Sequence, residues 1–136
     1  MQPKATIVDV GLLYLRVSAC LLVLVVHGLP KVMHYAEQAA VIEDPFHLGR
    51  SVSMVFAIFA EVVCPPFVIL GIATRLTVLP ILIVTLIALT FVHRDWTLAE
   101  GQFAWMLLIL FGTLAITGSG QISVYNWTRR SLISSP

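Results

Sequence analysis

The chain has 136 residues, of which 59% are hydrophobic and only 11% charged. A soluble domain carries about 25% charged residues, so a chain this short and apolar cannot cover its core with polar surface in water. Eight basic residues against seven acidic ones leave a formal net charge of +1. That balance excludes the basic footprint of a nucleic-acid binder and any acidic tail, and predicts a solvent that is largely lipid.

A helix crosses a hydrocarbon core about 30 Å thick with about 20 mostly apolar residues. In chain order, such stretches are predicted over residues 10–30, 51–73, 76–93 and 102–118. The first contains one charge, Arg16, and the second one charge, Glu61. The third and fourth carry none, and Gly118-Ser119-Gly120 supplies the glycine stop of the last. Leu, Ile and Val dominate without period-two alternation, over lengths unsuited to barrel strands, so a transmembrane β-barrel is excluded. The predicted fold is all-α, an integral membrane four-helix antiparallel bundle forming a single domain over residues 1–136.

With four crossings both termini share one face, together with Lys4, Arg75, Arg129 and Arg130. The other face holds Lys31, Arg50 and Arg94. The excess predicts cytoplasmic termini. Tyr125 and Trp127 at one end, and Tyr35 and Trp96 at the other, suit the interfacial belts. A cleaved signal peptide is not expected, because Asp9 and Arg16 bracket too short an apolar run.

On the first helix, Cys20, His27 and Lys31 fall about 40°, 20° and 60° from Arg16 around the axis. Lipid penalises such a stripe, so it should face the interior; His27 and Lys31 could alternatively mark the interface, with Lys31 snorkelling outward. Arg16 is too deep for that and needs a partner. Counted from the long-loop face, Arg16 lies about fourteen residues deep and Glu61 about ten, a difference of about 6 Å. The expectation is a buried Arg16–Glu61 pair, acting as a fixed register contact or as a polar centre for a ligand or proton.

Pro65 and Pro66 lack N–H groups, so the carbonyls of Glu61 and Val62 lose their usual partners. Arg16, water or a ligand could satisfy them, or the kink could serve packing alone. Cys20 and Cys64 fall at similar depth. Buried packing is the simpler account of these thiols and a redox pair the alternative. His27, His34, His47 and His93 share no helical metal-ligand spacing, and no metal site is expected.

Several motifs resemble the DoxX family of small four-helix membrane proteins. They are Leu15-Arg16, His27-Gly28-Leu29-Pro30-Lys31, Asp44-Pro45-Phe46-His47-Leu48-Gly49 and Phe59-Ala60-Glu61-Val62. They continue in Leu70-Gly71-Ile72-Ala73-Thr74-Arg75-Leu76, in Glu100, and in Gly118-Ser119-Gly120-Gln121-Ile122-Ser123. Tyr125 stands where the family usually has Asp. The resemblance implies a bacterial inner-membrane protein, with relatives associated with thiosulfate:quinone oxidoreduction and with assemblies handling oxidative or thiol stress. It does not fix a reaction.

Together these readings predict an accessory or quinone-interacting subunit of a membrane redox assembly. Arg16, His27, Lys31 and Glu61 would form a polar lining, with Arg75 and Glu100 at its rims. A quinone is the one cofactor so implied, and the partners are the bilayer, a membrane redox protein and further copies of the chain. The alternatives are a structural or assembly protein without a small-molecule site and a small oligomeric permease. No self-contained catalytic motif is present.

Overall fold

A computed structural model describes residues 5–133. Lys4 and the side chain of Arg130, both used above for orientation, lie outside the described part. The chain is helical, with α1 over Ile7–Met33, α2 over Tyr35–Val41, α3 over Arg50–Leu70, α4 over Thr74–Val92, α5 over Gln102–Thr117 and α6 over Val124–Ile133. Three of these, α1, α3 and α4, are long and apolar enough to cross a membrane. At 16 residues, α5 is apolar but only about 24 Å long.

Local chemistry explains the ends. A capping box opens α1: the Thr6 N–H donates to Asp9 Oδ2 at 2.7 Å, and the Asp9 N–H returns a bond to Thr6 Oγ1 at 3.4 Å. Gly71, with φ +72°, closes α3 in the left-handed conformation, and the Ile72 N–H folds back to the Phe67 carbonyl at 2.9 Å. Gly118, with φ +76°, closes α5.

Helices α1, α3 and α4 each contain one π-helical turn, at Leu24–Gly28, Phe59–Val63 and Ala88–Val92. In α3 the cause is visible. Pro65 and Pro66 cannot donate, and the turn widens so that the Cys64 N–H bonds the Phe59 carbonyl. In α1 the turn precedes Pro30 in the same way, with the Leu29 N–H on the Leu24 carbonyl.

The first part of α1 packs on the Cys64–Leu70 half of α3 and on α5, while α4 packs on α5 and on the middle of α3. Their shared core consists of Ala19, Cys20 and Val23, Cys64 and Val68, Val78 and Ile81, and Leu107, Phe111 and Leu114. The outer faces are also apolar: Leu21, Leu22, Val25 and Val26 on α1, Val55, Phe56 and Phe59 on α3, and Ile83 and Leu86 on α4 are exposed. Such continuous apolar surface belongs in lipid. Several hydroxyls on these helices bond the carbonyl one turn back, as Thr85 does to Ile81 at 2.8 Å and Thr113 to Ile109 at 2.7 Å. That satisfies them without water.

Candidate functional site

Two polar clusters lie at different levels of the molecule. The first is built around Arg16, which is 1% exposed. Its Nε donates to the Ile69 carbonyl at 3.1 Å, in the last turn of α3, and its two terminal nitrogens donate to the carbonyls of Ser119 and Ile122. A cation at the C-terminal end of α3 also complements that helix's dipole. Two turns earlier on α1, Asp9 Oδ1 accepts the Gln121 N–H at 2.7 Å. Asp9 and Arg16 thus grip the segment 118–123 from one helix, the acid taking an N–H and the base taking carbonyls. Glycine makes the fit: a Cβ on Gly71 would lie 2.5 Å from the Ser123 Cβ, and one on Gly120, where φ is +70°, 2.8 Å from Asp9 Oδ1.

A cleft of about 430 Å³ opens beside this grip, lined by Arg16, Ile69, Leu70, Ile122, Val124 and Trp127 among others. Its walls are mainly apolar, and Gln121 and Ser123 supply the remaining polar side chains.

The second cluster joins α1 to the middle of α3. Lys31 Nζ donates to Glu61 Oε2 at 2.6 Å and to the His27 carbonyl at 3.2 Å. The Lys31 and Glu61 side chains are 17% and 10% exposed, so this ion pair is largely removed from solvent. His27 lies within electrostatic reach of both and stacks on Phe103 at 5.3 Å between ring centroids. Its Nε2 is buried with no hydrogen-bond partner. The π-helical turns holding His27 and Glu61 pack against each other. A Cβ on Gly28 would sit 2.4 Å from the Glu61 carbonyl oxygen, so only glycine allows this approach.

The expected Arg16–Glu61 pair is therefore corrected: Arg16 binds carbonyls, and Glu61 binds Lys31. Depth counted along the helices locates Cα atoms and not the charged groups. Side chains on a helix tilt towards its N-terminus. The guanidinium accordingly runs away from Glu61 to Ile69, eight residues further along α3 and about 12 Å along its axis. The same tilt carries the Lys31 ammonium inward to Glu61, as the inward-facing stripe requires and against the alternative in which it snorkels outward. The carbonyl of Glu61 meets Gly28, not Arg16.

Cys20 and Cys64 are free, buried members of the shared core. Cys20 lies within electrostatic reach of Arg16 and of Cys64. Arg75 is exposed and lies along Gly118, where an added Cβ would be 3.4 Å from its Nε. Glu100 does not join either cluster: it accepts from the Thr97 N–H at 2.7 Å and hydroxyl at 2.8 Å. Those bonds hold its carboxyl below the ordinary value.

Asp9, Ser119 and Ile122 were missed as parts of the Arg16 cluster. The signal for the latter two is the pair Gly118 and Gly120, which the sequence offers as a helix stop and as part of a family motif but not as a partner of Arg16. In the long loop, Asp44 accepts from the Gly49 N–H at 2.7 Å, the Leu48 N–H at 3.1 Å and the Ser53 hydroxyl at 3.1 Å. Loss of water raises its carboxyl pKa, but these bonds outweigh that and hold it below the ordinary value. The motif containing Asp44 is thereby a loop fastener at the start of α3.

Comparison with known proteins returns no match among curated proteins and none among solved structures. The family model for DoxX matches residues 11–94. That stretch contains Arg16, both prolines of α3, the Lys31–Glu61 pair and the Gly71 turn, and it covers more than half of the 136 residues. The chain belongs to the DoxX family.

Proposed function

We propose that this chain is an accessory, quinone-interacting subunit of a membrane redox assembly in the bacterial inner membrane, and that the Lys31–Glu61–His27 cluster is its working site. The observation that carries this reading is the buried, unpartnered Nε2 of His27 beside an interior ion pair. Buried polar atoms normally have partners, and intramembrane ionisable groups are expensive to keep. A quinone head suits that nitrogen chemically. Its carbonyl oxygens accept bonds from an imidazole or ammonium N–H, and its flat ring is of the kind that stacks on aromatic side chains such as Phe103. A quinone supplies two-electron chemistry coupled to two protons. The electrons would come from a redox partner protein, while Glu61 offers a site to hold a proton next to the oxygen.

In this reading α5 makes a fourth crossing, antiparallel to α4, and the termini are cytoplasmic. Lys31 turned into the interior no longer counts as a loop charge. That leaves Arg50 and Arg94 on one face against Lys4, Arg75, Arg129 and Arg130 on the other. Further copies of the chain or a partner protein would cover some of the apolar outer surface. Arg16 ties α1 to α3 and to the segment 118–123, since its three bonded acceptors are all backbone carbonyls.

The test uses the His27→Phe variant, which preserves the ring stack on Phe103 and deletes the nitrogen. In lipid nanodiscs, a decyl-substituted benzoquinone should bind the wild type saturably and the variant about tenfold more weakly, as loss of one buried hydrogen bond requires. Equal binding by both proteins, or no saturable binding by either, would reject the proposal.

A further inference from the structure

The cleft beside Arg16 lies at the other end of α1 and shares no residue with the cluster just assigned. We propose that it is a binding site for a phosphate-type anion, supplied by a lipid headgroup or by free phosphate. A guanidinium has five N–H donors, and three of them are used here. All three acceptors are neutral carbonyls, and no carboxylate pairs with Arg16 among the described residues. The carbonyl dipoles solvate the charge without cancelling it, so a full positive charge stands 1% exposed at the edge of an open cleft. An anion completes that balance, and a neutral ligand does not.

The opposite wall points the same way. Ser123 and Val124, both lining the cleft, form the start of α6, a helix of ten residues. The Ser123 hydroxyl accepts the Asn126 N–H at 3.2 Å and so caps the helix. The Trp127 N–H goes to the Ser123 carbonyl at 3.0 Å, and the positive dipole end of α6 therefore lies at the wall formed by Ser123 and Val124. Arg16 and the α6 terminus thus converge on one space from two independent segments. Apart from Gln121, the remaining walls, with Ile69, Leu70, Ile122 and Trp127, are mainly apolar. They would accept the glycerol and upper acyl carbons of a lipid whose phosphate meets Arg16.

The experiment compares the protein in nanodiscs of phosphatidylcholine alone, of phosphatidylcholine with phosphatidylglycerol, and of phosphatidylcholine with inorganic phosphate in the buffer. Two wall variants, Val124→Trp and Leu70→Trp, fill the cleft while leaving Arg16 and its carbonyl acceptors in place. Native mass spectrometry should show the wild type retaining phosphatidylglycerol over phosphatidylcholine by about tenfold or more, as charge-assisted bonds allow. Either wall variant that keeps the wild-type helical circular dichroism should lose that preference. If inorganic phosphate alone raises the melting midpoint and the lipid preference is missing, the anion is free phosphate. A wild type indifferent to both phosphatidylglycerol and phosphate, or wall variants that respond as the wild type does, would overturn the proposal.

Discussion

Arg16 holds the end of α3 and the segment 118–123 to α1 through three backbone carbonyls. Carbonyls buried without a donor cost about 1–3 kcal/mol each, and lipid offers no substitute. Arg16→Met should therefore destabilise the fold by about 3 kcal/mol or more. Arg16→Lys should recover only part of that loss, because one ammonium cannot reproduce the planar fork that reaches acceptors on two chain segments. Thermal unfolding in detergent reads both. A methionine variant as stable as the wild type would remove Arg16 from its structural role and leave only its charge. The same residue shows what counting along a helix cannot supply. Its depth and its face were legible in the 3.6-residue period, but the bonding end of a long side chain sits several ångströms towards the N-terminus of its own Cα. Lys31 obeys the same rule, and its ammonium takes the place at Glu61 that depth alone gave to Arg16.

At the scale of elements, the π-helical turns and the close approach of α1 to α3 form one feature. Prolines 65 and 66 free a carbonyl at Glu61, and Gly28 has the only side chain small enough to stand against it. Gly28→Ala places a methyl 2.4 Å from that oxygen and must part the helices or tilt one of them. The expected loss is about 1–3 kcal/mol, in the range of overpacking substitutions. Gly112→Ala is the control, because nothing lies within 4 Å of the added methyl. It should be neutral or stabilising by up to about 1 kcal/mol from helix propensity. Equal effects from the two substitutions, seen as equal shifts in melting midpoint, would mean that the α1–α3 approach is not tight. Helical runs were readable from hydropathy, and the frustrated α3 backbone from its two prolines. The π geometry was not readable, since widening by one residue is only one of several ways to accommodate a missing donor. Nor was the grip on residues 118–123, because backbone carbonyls carry no sequence signature. Only the glycines that make room for it do.

Across the whole molecule, the two polar clusters place different demands on opposite ends of α1. The Arg16 end carries the termini and, in the orientation proposed, faces the cytoplasm, whereas the Lys31 end faces the long loop. Net orientation then rests on loop charges, and removing Lys31 from that count widens the difference between the faces. This can be checked directly, because the native thiols Cys20 and Cys64 are buried and give little background. Glu43 and Arg129 are both exposed, one in the long loop and the other on α6. In intact cells, a membrane-impermeant maleimide should label Glu43→Cys and leave Arg129→Cys unlabelled until the membrane is permeabilised. Labelling of Arg129→Cys alone would invert the topology and put the anion cleft outside. Labelling of both in intact cells would mean that α5 does not cross, since two spans, α3 and α4, would then separate the long loop from α6 in place of three. The charge distribution argues for the first outcome: Arg16, Arg75 and Arg129 then lie towards the leaflet where anionic headgroups and basic residues meet, which is the arrangement that the cleft at Arg16 requires.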